Sequence, residues 1–179
     1  MKFKLRPYQE EASKKAVEFF LDKKKNWNAL EVLPTASGKS LILADIAARL
    51  KDKVLVFSPT KEILEQNYKK YCSYGFDNAS IYSASFKSKE ISDVTFATIG
   101  SVKGHPELFT DFKYILIDEV HLVKPESGMY KEFLDKLKSK VIGLTATPKR
   151  DDNGDTYKYF GEPIYEYSLK DGINDGFLT

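Results

Sequence analysis

The hydrophobic positions of this chain fall into short continuous runs separated by longer segments with a helical period. The runs cover 29–33, 54–57, 94–99, 114–117 and 141–144. Several are apolar throughout rather than alternating, which is the mark of strands covered on both faces. Between them, 39–50 places Ile42, Ile46 and Leu50 on one helical face, and 61–74 and 129–137 supply two further helices. Ahead of the first run, Pro7 followed by Glu10 and Glu11 predicts a helix start. Ala12, Ala16 and Phe20 then repeat every four residues, and Lys23, Lys24 and Lys25 stand at the end, where positive charge suits the helix dipole. The triple lysine reads as a solvated helix end rather than a nucleic-acid patch.

Strand, helix and strand repeated in this way predict an α/β protein with a mainly parallel sheet and helices on both faces. In such sheets ligands gather at the carboxyl ends of the strands. Residues just after the apolar runs are therefore the candidates for chemistry.

Composition narrows the picture. A chain of 179 residues suits one domain with a full core, and 42% apolar residues with 12 Phe and 11 Tyr argue against extended disorder. A net charge of +2 excludes a polybasic protein that grips nucleic acid by charge alone, so any phosphate contacts must be local. One cysteine, Cys72, and two histidines supply neither an internal disulfide nor a structural zinc site. The N-terminus lacks an apolar run after its positive residues, and no apolar stretch is long enough to span a bilayer. The expectation is a cytoplasmic protein without a membrane partner.

Two strand ends carry chemistry. After the run ending at Leu33 comes PTASGKS (34–40), close to the phosphate-loop template G-x-x-x-x-G-K-[ST] but with Leu33 in place of the first glycine. Gly38 would let the backbone approach a phosphate, the amides of Thr35, Ala36 and Ser37 and of the helix start would donate to it, Lys39 would supply charge and Ser40 could ligate Mg²⁺. The other reading of this stretch alone is an ordinary strand-to-helix turn with a capping serine. At the second strand end, the run at 114–117 leads directly into Asp118 and Glu119. Adjacent carboxylates are hard to ionise together without a cation. Magnesium bound to a triphosphate would supply it, with Asp118 holding the ion through water and Glu119 orienting or deprotonating the attacking water.

PTASGKS, DEVH (118–121) and LTATP (144–148), in that order and at those spacings, resemble the first RecA-like domain of superfamily 2 DExH-box helicases and translocases. The resemblance implies a RecA-like P-loop fold and an ATP hydrolase of helicase or translocase type that uses ATP and Mg²⁺. LRPYQ (5–9) is similar to the family's adenine-reading segment, which gives Gln9 the adenine edge and places Arg6 near the nucleotide. PTKEILEQ (59–66) resembles the motif P-T-R-E-L-A-x-Q, which assigns Pro59, Thr60 and Gln66 to the nucleic-acid backbone. Thr98, Gly100 and Ser101 resemble a second backbone-contacting motif. His121, Thr145 and Thr147 match positions that couple hydrolysis to movement. The family tolerates apolar residues at the place of Leu33, while Ala36 stands where its pattern has glycine.

The tail, 157–178, is similar to the corresponding segment of restriction-enzyme motor subunits and RadD-like DNA-repair helicases. That branch favours double-stranded DNA over RNA, with nuclease or restriction subunits as further partners. The resemblance also implies a second RecA-like domain of the same polypeptide, whose arginines complete the ATP site. Residues 1–168 are expected to form the ATP-binding domain and 169–179 the start of the connection to the second. A nucleotide-dependent DNA-binding switch without turnover is the alternative, disfavoured by Glu119, which a pure switch does not need. A small-molecule kinase would leave LRPYQ, PTKEILEQ and LTATP unexplained.

Overall fold

The central strands of this protein, at 29–32, 54–57, 94–97, 114–118 and 140–145, deliver side chains to two hydrophobic clusters, one on each face of the sheet, which is why they read as apolar runs. A computed structural model describes residues 4–25, 28–120, 129–147, 150–151, 154–155, 160 and 163–178. The first helix, α1 (Pro7–Leu21), is followed by β1 (Ala29–Val32), α2 (Lys39–Leu50), β2 (Val54–Phe57) and α3 (Lys61–Cys72). Next come β3 (Ala79–Ser83), β4 (Ser88–Lys89), β5 (Val94–Ala97), α4 (Ile99–Val102), β6 (Tyr114–Asp118), α5 (Met129–Leu137) and β7 (Lys140–Thr145). A two-stranded ribbon, β8 (Arg150–Asp151) with β9 (Gly154–Asp155), precedes β10 (Pro163–Glu166) and α6 (Leu169–Asn174).

Among the described residues the main sheet runs β10-β1-β7-β6-β2-β5-β3-β4. Its pairings are parallel except for β3 with β4. This is the α/β class expected. On one face Val54, Val56, Leu116 and Ile142 meet α1, α2 and α3; on the other Leu55, Phe57, Ile115 and Val141 meet α4 and α5 through Val102, Phe133 and Leu137. Ala12 and Ala16, fully buried, keep α1 narrow where it packs on the first of these clusters. No helix among the described residues is long and apolar enough to cross a membrane.

Three parts differ from the expected pattern. The run 94–99 stops being strand at Ala97, and Thr98 becomes the residue before α4. The pair β3 and β4 occupies a stretch of alternating polar and apolar residues with no continuous run. Finally, β10 adds a parallel edge strand beside β1, starting on a proline, which an edge tolerates. Residues 167–178 pack back on α1: Tyr167 stacks on Tyr8 with ring centroids 4.3 Å apart, and Gly172 is closed over by Leu178.

Glu31, in the middle of β1, is fully buried, and neither carboxylate oxygen has a hydrogen-bond partner among the described residues. Burial pushes its carboxyl well above the usual glutamate range, and the charge of Lys15 offsets this only partly. The folded state therefore holds this proton at pH values where the unfolded chain has lost it, so stability is full below the unfolded pKa and falls as pH rises above it. Glu31→Gln should flatten this loss. We expect urea midpoints of the native chain to drop between about pH 5 and about pH 8 by more than those of the variant; parallel profiles would show that Glu31 is not the group responsible.

Candidate active site and nucleic-acid face

The order of strands places five connections side by side along the carboxyl edge of the sheet. They follow β1, β7, β6, β2 and β5 in that order. The PTASGKS loop, the Thr145–Thr147 turn, the Asp118–Glu119 pair, Pro59–Thr60 and Thr98–Ser101 thus form a row.

At one end of the row, Pro34 to Ser40 turn the chain from β1 into α2. Gly38 adopts φ 83°, and a Cβ there would lie 2.5 Å from Gln9 Nε2, so both backbone and space call for glycine. Ala36 is also left-handed at φ 68°, a conformation that strains an alanine by about 1 kcal/mol and that the glycine of the wider pattern adopts freely. The carbonyl of Ser37 accepts hydrogen bonds from the Tyr8 hydroxyl at 2.6 Å and from Gln9 Nε2 at 2.9 Å. Gln9 is buried beneath the loop, and its Oε1 accepts from the Arg6 amide at 2.9 Å. Its amide thereby braces the loop from below. The guanidinium of Arg6 is directed to the chain's tail: it donates to the Phe177 carbonyl at 2.9 Å and lies 5.4 Å from the centre of that ring.

The next connection but one, after β6, brings the acids. Lys39 Nζ lies 3.4 Å from Glu119 Oε1 across the cleft. Glu119 has φ 54°, a left-handed conformation in a residue other than glycine, the kind of strain that gathers at functional sites. Asp118 is 5% exposed; one oxygen, Oδ2, accepts from Asn67 Nδ2 at 3.1 Å, while Oδ1 has no partner among the described residues. Burial raises the Asp118 pKa above the usual carboxylate range and the charge of Glu119 adds to this, against the lowering effects of Asn67 and Lys39. A buried carboxylate with one oxygen unpaired among the described residues, in the wall of a cleft of about 390 Å³ lined by Gly38, Lys39, Ser40 and Glu119, suits a divalent cation. Ser40 and Asp118 are the residues that could hold one, with the remaining ligands left to phosphate and water.

A second cleft, of about 450 Å³, opens on the other side of the same acids and is lined by Pro59, Lys61, Thr98, Gly100 and Tyr130. Asp118 and Glu119 belong to both. Thr60 caps α3, its Oγ1 accepting from the Ile63 amide at 3.2 Å. Thr98 Oγ1 lies 3.2 Å from Ser83 Oγ and 3.0 Å from Ser101 Oγ, and Ser101 Oγ accepts from the Ala84 amide at 3.0 Å. The exposed Thr60 and the half-buried Thr98 and Ser101, each at the start of a helix, offer hydroxyls of the kind that suit a nucleic-acid backbone.

Gln66 does not join them. It lines the phosphate cleft instead, because six helical residues turn the chain through about 600°, which leaves Gln66 well round the helix from Thr60. Thr145 sits beside the phosphate loop: its carbonyl accepts from the Leu33 amide at 2.9 Å, and its Oγ1 accepts from the Thr147 amide at 3.1 Å. His121 lies outside the described residues. The sequence reading missed Tyr8, Asn67 and Ser58. Asn67 had a signal: a polar residue in the buried stripe Leu64, Asn67, Tyr71 of α3 needs a buried partner.

Comparison with known proteins agrees with this geometry. A family model described as "Type III restriction enzyme, res subunit" matches residues 2–150. The chain is 32% identical over 188 residues to the Escherichia coli type I restriction enzyme EcoAI endonuclease subunit, covering 97% of this chain and 23% of that one. It is 32% identical over 154 residues to the DNA 3'-5' translocase XPB2 of Sulfurisphaera tokodaii, covering 84% of this chain and 32% of that one. The UvsW helicase from bacteriophage T4 shares the fold, with a TM-score of 0.70 at 24% identity over 93% of this chain and 61% of that one. The chain spans less than a third of the length of either sequence relative.

The loop geometry is open to a direct test. Gly38→Ala forces a Cβ into Gln9 and strains the backbone, so titration with a fluorescent ATP analogue should show affinity reduced by about 10-fold or more, since a shift of roughly 1.4 kcal/mol is a factor of ten. Wild-type affinity in this variant would show that the loop does not depend on the shape seen here.

Proposed function

The chain belongs to the type III restriction enzyme res subunit family, and on that premise we propose that it is the ATP-binding half of a motor that couples ATP hydrolysis to movement on double-stranded DNA. The observation that supports this most is the sharing of Asp118 and Glu119 between the phosphate cleft and the cleft of Pro59, Thr98 and Gly100. A motor needs its hydrolytic acids within reach of both ligands.

In this reading the amides of 35–39 cradle the phosphates and Lys39 exchanges Glu119 for the β and γ phosphates. Glu119, released from that pair, takes up the attacking water and accepts its proton. Ser40 and Asp118 hold Mg²⁺, which when bound neutralises charge on the phosphates. Gln9 keeps the loop in place and Arg6 and Gln9 bound the adenine side. Pro59, Thr60, Thr98 and Ser101 take the DNA backbone, while His121, Thr145 and Thr147 pass on the state of the nucleotide.

The partners proposed are duplex DNA ahead of RNA, a second RecA-like domain joined through 169–179 to the ATP-binding domain of 1–168, and nuclease or restriction subunits, as the relative's name indicates for that protein. The cytoplasm is the compartment proposed.

Three substitutions separate the roles. In the protein carrying both halves of the motor, Lys39→Ala should lower DNA-stimulated ATP turnover by about 10²-fold or more, because a preorganised charge is lost. Glu119→Gln should keep nucleotide binding and slow hydrolysis, whereas Asp118→Asn should weaken Mg²⁺-dependent binding. Undiminished turnover in Lys39→Ala would refute the phosphate-site assignment, and equal loss of ATP affinity in the two acid variants would refute the division between them.

A further inference from the structure

The buried stripe of α3 contains Leu64, Asn67 and Tyr71, and only Asn67 brings an amide into it. Asn67 is 2% exposed. An apolar side chain would fill this space without the penalty of burying an amide, so the polar choice needs a purpose. Its Nδ2 donates to two acceptors, Asp118 Oδ2 at 3.1 Å and Ser58 Oγ at 3.0 Å. Ser58, itself buried, follows β2 next to the Pro59–Thr60 segment, and its amide is fixed to the Ala97 carbonyl of β5 at 3.2 Å. Thr60 caps the same helix that carries Asn67, about 10 Å further along at 1.5 Å per residue.

We propose that Asn67 is a positioning residue that ties the acid pair to the DNA-facing segment. It holds one oxygen of Asp118 and so fixes the carboxylate in the wall of the cleft, and through Ser58 and the stiff start of α3 it makes the orientation of that carboxylate depend on what occupies Pro59 and Thr60. The inference rests on the reading of the two clefts given above. The two sites then bias one shared element, and each ligand changes the affinity of the other by the same factor.

The test is the Mg²⁺ dependence of binding of a fluorescent, non-hydrolysable ATP analogue to this chain, with and without a short duplex DNA. The native chain should bind in a Mg²⁺-dependent way, and the duplex should shift that binding. In Asn67→Ala the Mg²⁺ midpoint should rise by about 10-fold, the size expected when a hydrogen bond to a charged group is lost. The shift caused by duplex should vanish while Mg²⁺-free binding of the analogue and nucleotide-free binding of DNA stay unchanged. Ser58→Ala, which leaves both Asn67 and Asp118 in place, should move the same quantities in the same direction by less, and it decides the matter if Asn67→Ala does not fold. A lower melting temperature with an unchanged Mg²⁺ midpoint, or a duplex effect as large as in the native chain, would reduce Asn67 to a packing residue and overturn the proposal. If the native chain itself shows no Mg²⁺-dependent binding, the reading of the clefts falls and the proposal with it; if it binds as expected and both variants match it, the proposal alone falls.

Discussion

A carboxylate buried at the end of a strand must have every oxygen accounted for, and Asp118 has only one satisfied from within the described protein. Most of what matters in this structure is arranged around that deficit. The sheet places β6 between β7 and β2, so the acids emerge midway between the phosphate loop and the segment after β2. Lys39 crosses to Glu119 at 3.4 Å and sets positive charge beside the acids. Burial raises the pKa of Asp118, which makes the carboxylate responsive to whatever cation arrives.

The backbone carries matching strain. Ala36, Gly38 and Glu119 all take positive φ around one cleft, and the two that are not glycine hold conformations a free chain would avoid. Packing and hydrogen bonds enforce this from below: Tyr8 and Gln9 clamp the Ser37 carbonyl, and Val120 fills the space over Gly143 so closely that no Cβ fits there. The stacked pair Tyr8 and Tyr167 extends the support to the tail of the chain. What appears as an isolated loop in the sequence is thus the top of a column built from α1, β7 and the residues after β10.

The central strands were legible because burial on both faces writes itself as an unbroken apolar run, and Lys39, Asp118 and Glu119 were legible because they stand where such runs end. The elements β3, β4 and β10 were not, since strands near a sheet edge carry polar residues, and β10 even begins with Pro163. Linear spacing did not show that Gln66 lines the phosphate cleft, where helical rotation rather than distance along the chain decides which cleft a side chain lines. Asn67 was missed because its partner is 51 residues away, and only the fold brings them together. Glu31 was passed over for another reason: one charged residue inside an apolar run gives no sign, in sequence, that it will be wholly buried.

In the function proposed above, one edge of the sheet holds two ligands side by side, nucleotide at the β1 end and DNA at the β5 end, meeting at the acids after β6. Amide hydrogen exchange measured with a Mg²⁺-bound ATP analogue, and separately with duplex DNA, tests it directly. The prediction is protection of 35–40 by the nucleotide, of Ser58, Thr60 and 98–101 by DNA, and of 118–119 by both. Protection by DNA along the opposite edge of the sheet, or of 118–119 by neither ligand, would contradict it.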